Sequence, residues 1–162
     1  MAYYADWVGV AVDEARHFAL LQARLQSLGH GYGDFDAHNG LWEMAARTAD
    51  DPVARMALVP RVLEARGLDV TPGMIVKLRS LGDDATADIL ELILREEIAH
   101  VAAGTRWFRW LCERAGRDPD GHFRELLDLH ARDVLRRPFN HAARGAAGFG
   151  DEELAALEAL AR

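Results

Sequence analysis

Residues 90–111 read LELILREEIAHVAAGTRWFRWL, and this stretch decides the fold class. Leu90, Ile93, Glu97, His100, Val101, Gly104, Phe108 and Leu111 recur at the intervals of one helical face, which predicts a long helix with a Glu and a His on its inward stripe. Residues 7–28, WVGVAVDEARHFALLQARLQSL, carry the same stripe as Trp7, Val10, Glu14, His17, Phe18, Leu21, Leu25 and Leu28. An offset of 83 residues superimposes the two sets, polar pair included, and suggests a pseudo-twofold arrangement about a shared centre.

The repeated polar pair is Glu-x-x-His: Glu14-Ala15-Arg16-His17 and Glu97-Ile98-Ala99-His100. On a helix such residues lie about 60° apart around the axis and about 4.5 Å apart along it, so both reach one ion from the same face. A carboxylate on a core stripe must be neutral, paired or metal-bound, because burying it uncompensated costs several kcal/mol. With 11 Glu and 7 His in the chain, chance supplies only about half a Glu-x-x-His. The plain alternative for each pair is a Glu–His hydrogen bond. Glu64 lies between the motifs on a third apolar segment and is expected to supply the bridging carboxylate that the two motifs lack, with a solvent-facing pairing with Arg61 or Arg66 as the plain alternative. Two Glu-x-x-His helices with further glutamates form the ligand set of a two-metal carboxylate site in a helix bundle. Oxygen and imidazole ligands suit iron or manganese, iron preferred, and the lack of thiolates disfavours structural zinc.

The rest of the chain reads as helices and loops. Helices are expected over about 3–28, closed by Gly29, and over Leu41 to about Ala49. Another covers 52–66, with Pro60 inside or restarting it and Gly67 ending it. Thr71-Pro72 is read as the start of a short helix that stops near Gly82. Asp83 or Asp84 then caps the helix over 83–115, and C-terminal helices follow over about 119–136 and 151–161, the last with Asp151 as its cap. Nothing alternates with period two over a useful length, so the class is all-α, in a single domain over 1–162.

Composition narrows the function. The formal charge of −7 argues against a sequence-independent nucleic-acid binder, which needs a positive surface. Cys112 is the only cysteine, so an internal disulfide and a thiolate cluster are both excluded. The apolar runs are short and broken by charges, which predicts no membrane span, and residues 1–7 lack the features of a secretory signal, so a cytoplasmic location is expected.

Several stretches resemble a known group. Residues 13–18 (DEARHF), 33–35 (GDF), 38–43 (HNGLWE), 59–70 (VPRVLEARGLDV) and 96–112 resemble the ferritin-like superfamily and, more closely, the bacterial domain-of-unknown-function 455 family. The resemblance covers nearly the whole chain, and VPRVLEARGLDV is its most specific part. It implies a ferritin-like bundle with additional C-terminal helices and a dimetal centre held by Glu14, His17, Glu64, Glu97 and His100. Such a bundle ordinarily has a helix before the first Glu-x-x-His helix that donates a glutamate, and here Glu14 follows only thirteen residues. The expectation is a bundle truncated at its N-terminus, with Asp6 and Glu43 as possible substitutes. The site would then be incomplete, closed by a second subunit, or completed by a longer natural chain. A groove left by that helix predicts a homodimer.

The expected function is a dimetal oxidoreductase that activates oxygen toward a small or nucleoside-like substrate not identified by the sequence. Alternatives are a non-enzymatic metal-storage or delivery protein and a helical interaction module with an incomplete site. The glycine-rich loop 29–40 is a surface connection or a mobile lid. Trp107 and Phe108 read as core, with a channel lining as the alternative. Arg132, Arg136, Arg137, His141 and Arg144 read as a solvated basic face, with an anion site as the alternative.

Overall fold

The computed structural model describes residues 1–161; the expected domain extends one residue further, to Arg162, which lies outside the described residues. The chain is all-helical, and no strand occurs among the described residues. No described helix is long and apolar enough to cross a membrane. The chain divides into two compact units: Met1–Asn39 with Thr71–Glu96, and Gly40–Val70 with the chain from Glu97 onward.

In the first unit, α1 spans Ala2–Ser27 and is followed by a turn in which Gly29 takes a φ of +84°, the left-handed conformation that glycine adopts without steric cost. Opposite it runs the first part of α5, Asp84–Arg114. Arg24 donates to Asp83 at 2.8 Å and to Thr86 at 2.8 Å, while Arg16 donates to Glu96 at 2.7 Å, so the two helices are antiparallel here. Asp83 caps α5 by accepting from the Thr86 N–H at 3.0 Å. The cap residue and the near-terminal Gly82 were both legible in the sequence. The stripe of α1 is less inward than expected: Phe18, Leu21 and Leu28 are 47%, 42% and 53% exposed, and His17 is the buried residue of the helix.

The second unit begins with α2, Gly40–Arg47, and α3, Pro52–Leu58. Asp51 caps α3 through Val53 N and Ala54 N, both at 3.0 Å, with Pro52 at the first helical position. A π-helical segment, Val59–Glu64, then leads without a break into α4, Ala65–Ser80. Pro60 has no N–H and its ring crowds the carbonyl four residues back, so the wider turn accommodates it. Two expected boundaries are corrected here. Gly67 has a negative φ and stays helical, and Thr71-Pro72 starts nothing, because α4 runs through both.

After α5 come α6, Pro119–His130, α7, His141–Ala146, and α8, Asp151–Leu160. The helix expected over 119–136 therefore stops at His130, and α7 was not foreseen. Gly150, not Asp151, caps α8, its N–H donating to the Glu153 carboxylate at 2.9 Å. Within this unit α6 packs on α3 and on α8. Phe108, Phe123, Leu58, Leu127 and Leu157 are fully buried. Phe108 is thus core, as its spacing suggested.

The core of this unit also holds charges. Arg61 is fully buried among the rings of Phe108, Phe123 and Phe149, at 4.7, 4.1 and 4.5 Å, and ion-pairs with the buried Glu153. Arg144 forks onto the buried Asp69 at 2.9 and 2.7 Å, and Asp69 also accepts from Asn140 N at 2.9 Å. Arg66 donates to the carbonyls of Arg136 and Pro138 at 2.8 and 3.0 Å. The segment VPRVLEARGLDV therefore anchors the chain beyond α6 through Arg61, Arg66 and Asp69. The reading of Arg132, Arg136, Arg137, His141 and Arg144 as a solvated basic face is corrected at Arg144 alone, which is buried; the other four are exposed, Arg132 pairing with Asp128 and Arg137 and His141 with Glu158.

Candidate metal centre

Each Glu-x-x-His pair closes on itself over one helical turn. In the first unit His17 Nδ1 lies 3.7 Å from Glu14 Oε1 on α1. In the second unit His100 Nδ1 lies 3.5 Å from Glu97 Oε2 on α5. The same ring nitrogen faces the same carboxylate in both, because helical side chains lean toward the N-terminus and bring a residue over the one three positions earlier. Both imidazoles are buried, at 3% and 2% residue exposure, whereas Glu14 is exposed and Glu97 half-buried.

These separations fit a shared ion. Ligands each about 2.1 Å from a metal stand about 3.0 Å apart at a right angle and about 3.6 Å apart at 120°. A direct charge-assisted N–H to carboxylate hydrogen bond is shorter, about 2.7–2.9 Å. The donor chemistry, one carboxylate oxygen and one imidazole nitrogen per pair, suits iron or manganese better than a thiophilic ion.

His17 has a second partner that the sequence reading missed. Its Nε2 lies 2.7 Å from Glu96 Oε2, and the same carboxylate accepts from Arg16 at 2.7 Å. Asp13 in turn accepts from Arg16 at 2.9 Å. Hydrogen bonds from the His17 ring and the Arg16 guanidinium hold the Glu96 carboxyl below the usual carboxylate range. A signal for Glu96 did exist: the 83-residue offset that relates the two stripes carries Asp13 onto Glu96, so an acid precedes the Glu of both motifs.

Glu64 ends the π segment, half-buried, in the same unit as Glu97 and His100. π turns often mark functional positions, and this one sets the register of the residue expected to bridge. Of the possible substitutes for a sixth ligand, Glu43 stands exposed on α2, and Asp6 is half-buried on α1. The 29–40 loop is folded onto its neighbours: Tyr32 packs edge-on against Phe18 at 5.3 Å, His30 against Phe35 at 4.8 Å, and Asp34 accepts from Gly31 N at 2.7 Å.

No solved structure matches this chain. A protein of Haemophilus influenzae bearing the description "Uncharacterized protein" is 47% identical over 154 residues, which are 95% of this chain and 54% of that protein. The chain thus spans about half the length of this curated relative. The family described as "Protein of unknown function (DUF455)" matches over residues 1–155, and the chain belongs to it.

Proposed function

We propose that this protein is a ferritin-like metalloprotein that holds two iron or manganese ions, iron preferred, and uses them as an oxygen-activating oxidoreductase. The observation that carries the reading is the matched geometry of the two Glu–His pairs, Nδ1 to carboxylate at 3.7 and 3.5 Å. In this reading Glu14 and His17 would hold one ion and Glu97 and His100 the other, with Glu64 as the bridging carboxylate. Two such ions with open coordination positions supply redox or Lewis-acid chemistry. The chain's own contribution is to orient the imidazoles and to keep their rings out of water. We also propose a homodimer through α1, whose Tyr4, Val8 and Val12 form an apolar row that is 71%, 63% and 64% exposed.

The test is metal content per chain, by elemental mass spectrometry, after anaerobic loading with iron and manganese and desalting. The expected result is about two equivalents, with Glu97→Ala lowering it. Content near zero overturns the proposal. Oxygen consumption beyond simple ferrous oxidation supports the oxidoreductase; uptake and release without it support storage or delivery instead. Sedimentation velocity at several concentrations tests the dimer, and a monomer at every concentration ends that part of the reading.

A further inference from the structure

We infer that Glu96, held in place by Arg16, is a positioning residue that fixes the tautomer of His17 so that Nδ1 is the atom offered to a metal. The inference rests on the metal-centre reading above and concerns a residue outside the expected ligand set. Its ground is the contact pattern around one buried ring. His17 Nε2 meets Glu96 Oε2 at 2.7 Å, and Glu96 also receives Arg16 at 2.7 Å. A carboxylate that already receives a guanidinium N–H is an acceptor, so the imidazole nitrogen facing it carries the hydrogen. In the neutral ring the other nitrogen, Nδ1, then carries the lone pair. Nδ1 points toward Glu14 Oε1 at 3.7 Å, which is the separation of two ligands around one ion and not of a hydrogen bond.

The same contact restrains the ring in space. An imidazole bonded only through a metal can swing about χ2; one tied at Nε2 to a carboxylate cannot do so without breaking that bond. Arg16 braces the carboxylate from the surface: its side chain is 43% exposed and also contacts Asp13, so it spans α1 and the first part of α5. His17 itself is buried, which keeps water from replacing Glu96 as the acceptor.

The experiment has two arms. Long-range proton–nitrogen NMR of the metal-free wild-type protein reads the tautomer directly and is expected to find His17 protonated at Nε2. Finding it protonated at Nδ1 overturns the inference whatever the metal does. The second arm titrates cobalt(II) against a competing chelator into wild type, E96A and E96Q. Loss of a carboxylate behind a ligating histidine weakens metal binding by roughly 10- to 100-fold, and that is the expectation for E96A. E96Q keeps an acceptor oxygen and should retain the Nε2–H tautomer and most of the affinity. Wild-type binding with unchanged affinity in E96A overturns the positioning role alone. Failure of the wild type to take up cobalt overturns the metal-centre reading, and the inference falls with it.

Discussion

At Gly104 α5 lies close against Pro60 of the π segment. A Cβ built there would stand 2.5 Å from both Cβ and Cγ of Pro60, and neither atom belongs to a side chain that can swing away. The glycine on the stripe of residues 90–111 is thus required by close approach and not by backbone conformation. Gly104→Ala is expected to destabilise the protein by about 1–3 kcal/mol, as overpacking of a rigid contact does, in a urea titration. An unchanged midpoint would mean that the helix and Pro60 can part without cost. Asp83 gives a prediction of a different kind. Hydrogen bonds from the Thr86 hydroxyl and N–H, with help from Arg24, hold its carboxyl below the ordinary value. The folded state therefore favours the ionised form. The resulting stability is complete above the unfolded pKa and is lost as pH falls through the folded one. Asp83→Asn keeps an amide oxygen as a cap but does not titrate. The stability advantage of wild type over this variant should narrow on going from about pH 6 toward about pH 3. A gap that stays constant across that range would show that ionisation of Asp83 contributes nothing to it.

Helices were largely legible because their caps and faces are local properties. Ala2–Ser27, Gly40–Arg47 and Asp84–Arg114 begin and end within a residue or two of where the apolar spacing, Gly29 and Asp83 put them. The failures lie where a strong local signal was outvoted. Gly67 and Thr71-Pro72 form a plausible stop and start, yet α4 passes through all three. Leu68 and Asp69 lie on that stretch, one fully buried and the other gripping Arg144, and they hold it helical. Gly67 and Gly82 then respond oppositely to the same change. Gly67 has a negative φ and open space around its missing Cβ, so Gly67→Ala should stabilise by about 0.5–1 kcal/mol through lost chain entropy. Gly82 has a φ of +79°, so Gly82→Ala should destabilise instead. Thermal melts of the two variants decide this, and a destabilised Gly67→Ala would restore the glycine as a helix terminator.

Across the chain, what could be read from sequence was what lies within one turn. The pairs Glu14–His17 and Glu97–His100 were visible because their partners are three residues apart. Glu96 was not named, since its contact with His17 joins two helices separated by 79 positions. The Arg61–Glu153 pair spans 92 positions, and nothing local in either neighbourhood announces it. That pair makes the strongest claim about what holds the second unit together. Burial pushes the Arg61 guanidinium below its ordinary pKa, while Glu153 opposes the shift, so the arginine depends on its partner to compensate its charge among three phenyl rings. Glu153 also accepts from Gly150 N and from Arg109, so one carboxylate closes α8 and neutralises the π segment. Glu153→Ala leaves a buried cation without a counter-charge and should cost about 3–5 kcal/mol. If the penalty is the orphaned charge, removing the cation as well should relieve it. Adding Arg61→Met places a flexible apolar side chain among Phe108, Phe123 and Phe149, and the double variant should recover at least about half of the loss, leaving the uncapped Gly150 N–H as the residue of the cost. A double-mutant cycle by urea denaturation measures the coupling. Strict additivity of the two substitutions, or a Glu153→Ala penalty below about 1 kcal/mol, would mean that the phenyl rings and not the ion pair hold Arg61 in the core.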